Sequence, residues 1–426
     1  MSEVIATNQT ILVVGGGISG LTAALEAAEC GKQVILLEKS PSVGGRVGQL
    51  HKYFPKLCVP SCGLEIQYRR LKANKNVRLL TMAEVTQISG DAGNFTVNVK
   101  VSPRYVNENC TACGECGKAV SAEFDDEFNY GMKKRKGAYL VSHMAYPQRF
   151  VIDPRIVAGD DGAKAKEACK YGAVELDMQE QNLNLNVGAV VWATGWKPYD
   201  AAKIQPYGYD RYDNVISNVE FERMLDPFGP TGGKIVRPSD GHAPKNIAFI
   251  QCAGSRDQNH LKHCSRICCM ATLKQTTYVK DQLGDNCKST VYYIDIRAID
   301  RIDDFHRKVK EDANVTFVKS KVANITGGEN GNVILNGVDT EGYNRYRTEH
   351  DLVVLATGME STVPAGVFPA GININEHNFI ELDGDSGIYG AGCSSDALDV
   401  NRAAQNATAA ALRAIQVVTR VAGQEG

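Results

Sequence analysis

The chain has 426 residues, a formal net charge of −2, 43% hydrophobic and 23% charged residues. That is enough chain for two or three domains with ordinary cores, and it lacks the charge excess that nucleic acid or an anionic membrane surface would select. No apolar run reaches the roughly 18 residues that span a bilayer, and the opening MSEVIATNQT has neither the basic nor the apolar region of a secretory signal, so a cytoplasmic location is expected. The unusual quantity is 13 cysteines, most of them in tight groups. In a reducing compartment such groups point to metal or redox sites rather than to a disulfide framework.

The run ILVV at 11–14 reads as a short buried strand that leads into Gly15-Gly-Gly-Ile-Ser-Gly20 and a helix-like segment at 21–29. Gly15 permits a tight turn, Gly17 lets backbone approach a pyrophosphate, and Gly20 lets helix and strand pack closely. Ile18 and Ser19 open the helix, whose free N–H groups and positive dipole end favour phosphate. The next strand, 34–37, ends in Glu38 and Lys39, and an acid at that place can accept ribose hydroxyls. This order predicts a dinucleotide site. Three features favour FAD over NAD: the position at the N-terminus; the doublet Gly44-Gly45 with Arg46; and Gly387-Ile-Tyr-Gly-Ala-Gly392 near the other end. The last two resemble segments of two-dinucleotide flavoproteins. In that family an Asp usually follows the late glycine; here Cys393 stands in its place. The helix-like run 401–417 follows, its start placed to face the flavin.

Farther along, Cys58-Val-Pro-Ser-Cys62 can ligate a metal or form a disulfide, and without a third partner in sequence its role stays open. Cys110-Thr-Ala-Cys113-Gly-Glu-Cys116 is the opening of a bacterial ferredoxin motif, without the usual fourth cysteine and proline. A lone late cysteine, Cys169 in KEACKYGA, looks like the end of a second such motif whose first three cysteines are missing. Two-cluster ferredoxins cross their ligands, so Cys110, Cys113, Cys116 and Cys169 form one complete set for a [4Fe–4S] cluster. The alternatives are a three-cysteine remnant or Cys169 as a core residue.

Two near copies, VVWATG ending in Ala193-Thr194-Gly195 and LVVLATG ending in Gly358, read as strands closed by turns. In the two-dinucleotide flavoproteins such turns mark crossings between the FAD domain and a second domain, which should bind NAD(P)H. Its first strand, 246–250, is followed by Gln251-Cys-Ala-Gly-Ser-Arg-Asp257, in which only Gly254 remains of the glycine fingerprint. Nicotinamide binding is therefore expected to be lost, with a further strand expected at 290–296. The same stretch carries Cys252, Cys264, Cys268 and Cys269 within eighteen residues. Four thiols suit a [4Fe–4S] cluster; zinc and buried free thiols are the alternatives. Cys30 and Cys287 read as structural, and His51 and His143 as core or surface residues.

The fold expected is α/β: a thioredoxin/glutathione reductase-like pair of dinucleotide domains with an inserted degenerate ferredoxin-like domain. The FAD domain takes 1–102, 181–227 and 351–426, the insert 103–180, and the second domain 228–350. The glycine fingerprint, Cys-x2-Cys-x2-Cys, the stretch EFDDEFNYGMKKRKGAYL…PQRFVID and QCAGSRD…CSRICC together resemble the A subunit of heterodisulfide reductase across nearly the whole chain. The shorter form is similar to the A subunit of the quinone-interacting membrane-bound oxidoreductase complex of sulfate reducers. That resemblance implies FAD and two [4Fe–4S] clusters, the one at Cys252, Cys264, Cys268 and Cys269 being of an atypical kind. It also implies a haem-containing membrane subunit, a related B subunit, and electron exchange between menaquinone and adenylylsulfate reductase. Electron bifurcation at the flavin is within that expectation. Membrane contact would come only through partners. The rival expectations are a soluble, bifurcating subunit of the heterodisulfide reductase type and a pyridine-nucleotide-dependent flavin oxidoreductase.

Overall fold

A computed structural model of the chain describes residues 6–54, 56–298, 302–381, 384 and 386–424. Two five-stranded sheets, parallel throughout, organise it. The first runs in the order Ile388–Gly390, Ala189–Trp192, Ile11–Val14, Val34–Glu38, Val77–Thr81. Its central strands are apolar at almost every position because both faces are covered. One face carries the helix Ile18–Glu29, packed on the long helix Val400–Gln424; the other packs against the antiparallel sheet of Gln181–Val187, Asn94–Val101 and Ala83–Asp91. Alanines at 23, 24, 27, 407, 410, 411 and 414 let the two helices approach closely.

The inserted segment leaves and returns at adjoining points, for Val101 lies opposite Gln181 in the antiparallel ladder. Between them, the short helices Glu115–Ala119 and Asp160–Glu167 and two small hairpins enclose a core of their own around Val106, Val120, Ile152, Ile156 and Val174.

The second parallel sheet has the order Val215–Ser217, Leu352–Thr357, Asn246–Ala253, Lys288–Tyr293, Val315–Lys319. This differs from the expected division. Val215–Ser217 and Leu352–Thr357 hydrogen-bond into the second sheet, so edges at 227/228 and 350/351 would cut it. The crossing is instead made by Trp196–Pro198 and Met359–Ser361, which pair antiparallel directly after the two Ala-Thr-Gly turns. Strand pairing across more than a hundred residues decides this, and nothing local announces it. The strand expected at 290–296 occupies Lys288–Tyr293, and the helix expected at 401–417 spans Val400–Gln424.

Candidate functional site

A cavity of about 650 Å³ opens at the carboxyl ends of the first sheet's strands, where Val14, Glu38 and Trp192 line it, the place where open α/β sheets bind ligands. Its size is ordinary for a small-molecule site. Gly15, Gly17, Ile18, Ser19, Glu38, Lys39, Gly44, Gly45, Arg46, Ala193, Thr194, Gly195 and Cys393 all line it. Gly15 turns at φ +106°, and a Cβ there would lie 2.4 Å from the Ala193 carbonyl oxygen, so only glycine fits. At Gly17 the nearest atom to such a Cβ is Gly45 Cα at 3.8 Å, which leaves bare backbone open to a ligand. Glu38 accepts the Gly16 N–H at 2.6 Å and the Ser40 N–H at 2.7 Å, and burial pushes its carboxyl above the usual range.

Arg46 holds a wall of the cavity in place. Its guanidinium donates to the Trp196 carbonyl (3.1 Å), Gln49 Oε1 (2.9 Å) and the Tyr130 hydroxyl (3.0 Å), joining the first unit, the crossing strand and the insert. Cys393 is buried, donates to the Leu398 carbonyl at 3.4 Å, and is pushed up to about 12 by that burial. A neutral thiol thus replaces a carboxylate at this contact. Three expected residues stand outside the lining. A Cβ on Gly20 would fall 1.7 Å from the Gly15 carbonyl oxygen and one on Gly392 would fall 2.0 Å from Ser19 Oγ, so both serve close packing. Gly358 packs against Ser255, Leu261 and Ser265 of the cysteine-bearing loop instead.

The insert supplies lining residues that sequence reasoning missed: Phe128, Val141, Ser142 and Met144. They are brought there by Tyr146, whose carbonyl accepts the Val43 N–H (2.9 Å), whose N–H donates to Ser42 Oγ (2.9 Å) and whose ring stacks on Tyr68 at 5.3 Å.

Cys110, Cys113, Cys116 and Cys169 meet around a small apolar recess in the insert, bordered by Phe150 and Tyr171. Two sulfurs accept backbone hydrogen bonds: Ala112 N–H to Cys110 Sγ at 3.5 Å and Ala173 N–H to Cys169 Sγ at 3.3 Å. Burial first, then the nearness of Cys110, Cys169 and Cys113, pushes the Cys116 thiol up to about 11. The second group sits at the carboxyl end of the Asn246–Ala253 strand. Cys252 lies on the strand, Cys264 in the loop after it, and Cys268 and Cys269 open the helix Cys268–Leu283. Cys252 is pushed up to about 11 by burial and by Cys269 and Cys264, while Arg256 opposes the rise. The hydrogen bond between Cys268 and Cys269 drives Cys268 up and Cys269 down. Ala112 and Arg266 share one local device. Each has a left-handed backbone, at φ +55° and +63°, and each aims its N–H at a cysteine sulfur two residues back, Arg266 reaching Cys264 Sγ at 3.3 Å.

Among the described residues, no three His, Cys, Asp or Glu side chains converge tightly enough to clasp a single metal ion. A four-iron cluster takes one sulfur per iron and spreads its ligands wider than one zinc does. Around the second group, both amide atoms of Gln251, Ser255 Oγ and Arg266 Nε are buried without a hydrogen-bond partner among the described residues. Buried polar atoms are nearly always partnered, so these atoms and the all-thiol donor sets fit polar, sulfur-rich groups. Where a nicotinamide domain would keep bare glycine backbone, Gly254 packs on Tyr199, and the loop closes on itself through Arg256 N–H to the His263 carbonyl (3.1 Å) and Leu261 N–H to the Gly254 carbonyl (3.1 Å).

Residues 10–52 match the FAD binding domain family. The A subunit of the ferredoxin/F420H2-dependent CoB–CoM heterodisulfide reductase of Methanosarcina acetivorans is 34% identical over 98% of this chain and 55% of its own length. The iron–sulfur A subunit of the CoB–CoM heterodisulfide reductase of Methanocaldococcus jannaschii is 39% identical over 84% of this chain and 54% of its own length. Across most of its length the chain is similar to the flavoprotein A subunits of heterodisulfide reductases. It spans between about half and two thirds of the length of these relatives, 64% for the A subunit of the H2:CoB–CoM heterodisulfide, ferredoxin reductase of Methanothermobacter marburgensis at 34% identity. The fold of the chain is that of the thioredoxin reductases: TM-scores are 0.54 with the Lactococcus lactis enzyme (12% identity, 97% of this chain and 99% of that one) and 0.52 with the T. acidophilum enzyme (15%, 96% and 98%).

The other cysteines and histidines singled out in the sequence stand outside these groups. Cys30 is exposed and Cys287 buried. His51 packs edge-on to Tyr278 at 5.0 Å, and His143 stacks on Phe228 at 4.1 Å; neither lines the cavity. Cys58 and Cys62 neighbour each other at the start of the helix Pro60–Ala73, and Phe54 and Leu57 just before them pack against the cluster that holds Cys268 and Cys269.

Proposed function

We propose that the chain is an electron-transfer subunit that uses FAD and two [4Fe–4S] clusters, held by Cys110, Cys113, Cys116 and Cys169 and by Cys252, Cys264, Cys268 and Cys269. One observation carries the reading: two separate sets of four thiols are each drawn together, one in the insert that walls the flavin cavity and one in the loop that packs on Gly358 beside the crossing strands. FAD exchanges an electron pair for single electrons and clusters carry the single electrons. The chain's own residues bind, shield and tune. Gly15 and Gly17 admit the pyrophosphate, Glu38 meets the ribose, and Phe128, Val141 and Met144 exclude water from the cavity. The N–H groups of Ala112, Ala173 and Arg266 soften charge on cysteine sulfur, one of the levers on cluster potential. No side chain has to act as nucleophile or general base.

The assembly we favour is a membrane-associated, quinone-interacting complex. In it a haem-containing membrane subunit, together with a related B subunit, links this chain to menaquinone, and adenylylsulfate reductase is the redox partner on the cytoplasmic side. No helix among the described residues is long and apolar enough to cross a membrane; in this reading the partners make the attachment. The names of the relatives, which join heterodisulfide reduction to ferredoxin, favour a second assembly of the heterodisulfide reductase type, in which the flavin would be the point of bifurcation. The packed loop at Gly254 weighs against a third reading, a self-contained NAD(P)H oxidoreductase.

Anaerobic purification of the complex tests the relay. Roughly eight irons and one FAD per chain are expected, four irons per cubane, and Cys264→Ser should halve the iron and leave FAD bound. Iron near zero would defeat the proposal. Flavin bleached by a menaquinol analogue and reoxidised by adenylylsulfate reductase supports the first assembly; reduction of ferredoxin alongside a second acceptor supports the other; bleaching by NAD(P)H alone supports the third.

A further inference from the structure

Cys58 and Cys62 take no part in the sites described above. Cys58 ends a small hairpin in which the Tyr53 N–H donates to the Cys58 carbonyl at 3.0 Å, and Cys62 lies in the first turn of the helix Pro60–Ala73. Neither is in a disulfide; Cys62 is exposed and Cys58 half-exposed. Cys58 is held above its ordinary range by loss of solvent first and by the neighbouring Cys62 thiol second, and Cys58 Sγ lies 4.0 Å from the Lys56 carbonyl. The helix divides cleanly. Leu64 and Tyr68 face inward onto the Gly44–Gly48 loop of the flavin cavity. Val59 and Ile66, at 45% and 55% exposure, stand outward with Cys62 between them. The pair therefore opens to solvent on the face opposite the flavin, between two exposed apolar side chains.

We propose that Cys58 and Cys62 form a reversible dithiol–disulfide couple that exchanges with external disulfides. The sulfur in the open is Cys62, so its thiolate attacks one sulfur of the external disulfide and releases the first thiol, leaving a mixed disulfide on Cys62. Cys58, its neighbour four residues back, then attacks the Cys62 sulfur and releases the second thiol. The chain loses two electrons and two protons, and both appear in the two thiols released; an external dithiol reverses every step. The Tyr53–Cys58 bridge and the first helical turn hold the two residues four positions apart as neighbours.

The test equilibrates anaerobically purified holoprotein in glutathione buffers of increasing oxidised fraction. Free thiols are then alkylated and the peptides weighed. The peptide carrying Cys58 and Cys62 should lose two hydrogens and resist alkylation, and a reducing buffer should restore it. Cys30, exposed and without a neighbouring thiol in contact, should carry only a glutathione adduct under the same conditions. In Cys58→Ser, the adduct on Cys62 should persist where the parent chain resolves it. The proposal is overturned if Cys62 of the parent chain keeps glutathione, if both thiols stay free at the most oxidising ratio, or if both resist alkylation until a chelator removes bound metal.

Discussion

His350 is buried with both ring nitrogens in use. Asn246 gives its Nδ2–H to the Glu349 carbonyl, which leaves Asn246 Oδ1 as an acceptor for His350 Nδ1–H at 3.0 Å; His350 Nε2 then accepts from the Tyr292 hydroxyl at 3.0 Å. This arrangement satisfies the neutral ring and would lose its acceptor on protonation. Burial accordingly pushes His350 down from 6.5 to about 4. Below pH 6.5 the unfolded chain takes the proton and the folded chain does not. The contribution to stability is complete above 6.5, declines as pH falls, and is gone near pH 4. At about 1.4 kcal/mol per pH unit of separation, it amounts to roughly 3 kcal/mol. His350→Gln should therefore show a shallower loss of stability between pH 7 and 4 than the parent chain in urea titrations. Parallel curves would mean that the ring is accessible to protons in the fold.

At the scale of elements, one buried pair clamps three segments. Lys274 and Glu222 are each 3% exposed and meet at 2.9 Å. Glu222 also accepts the His51 N–H (2.9 Å) and Gln275 Nε2–H (2.9 Å), and Lys274 donates to the Lys52 carbonyl at 2.5 Å. The helix Asn218–Met224, the helix that opens with Cys268 and Cys269, and the loop after the flavin-lining Gly45–Gln49 are fixed to one another by this pair. Lys274→Met would bury Glu222 without its cation and should cost about 3–5 kcal/mol, whereas Glu222→Gln with Lys274→Met should recover most of that. Chemical denaturation of the three variants checks it; equal loss in single and double variants would refute the coupling. The pair also marks what a sequence withholds. The glycines at 15 and 17 and each run of cysteines declare themselves because their chemistry depends on spacing within a few residues. Glu222 and Lys274 are fifty-two positions apart in surface-type residues, and only the packing of two helices makes them a buried pair. The same holds for Met144, an ordinary residue until Tyr146 anchors its segment over Ser42 and Val43, and for Val215–Ser217, too short to show which sheet it joins. Gly358 misled for the opposite reason: its motif copies Gly195, but its strand belongs to the second sheet.

At the scale of the whole molecule, the insert is both removable by topology and engaged by chemistry. Its ends meet at Val101 and Gln181, opposite each other in an antiparallel ladder, so a two-residue Asn-Gly turn in place of 102–180 would close an ordinary hairpin. The insert has its own core, and the two parallel sheets draw none of their strands from it. Both sheets should survive the excision, with far-ultraviolet circular dichroism and a cooperative unfolding transition retained. The flavin cavity should not survive intact. It loses Phe128, Val141, Ser142 and Met144 from its lining, the Tyr146 contacts to Ser42 and Val43, and the Tyr130 hydroxyl that holds Arg46. FAD should therefore bind at least about tenfold more weakly, a loss of roughly 1.4 kcal/mol or more. Iron should fall by half, because the group at Cys252, Cys264, Cys268 and Cys269 draws no ligand from the insert. Flavin titration and iron analysis of the excised chain separate the outcomes. Unchanged FAD affinity would make the insert a passive carrier of its cysteines, and loss of all iron would mean that the second group depends on the first for its assembly.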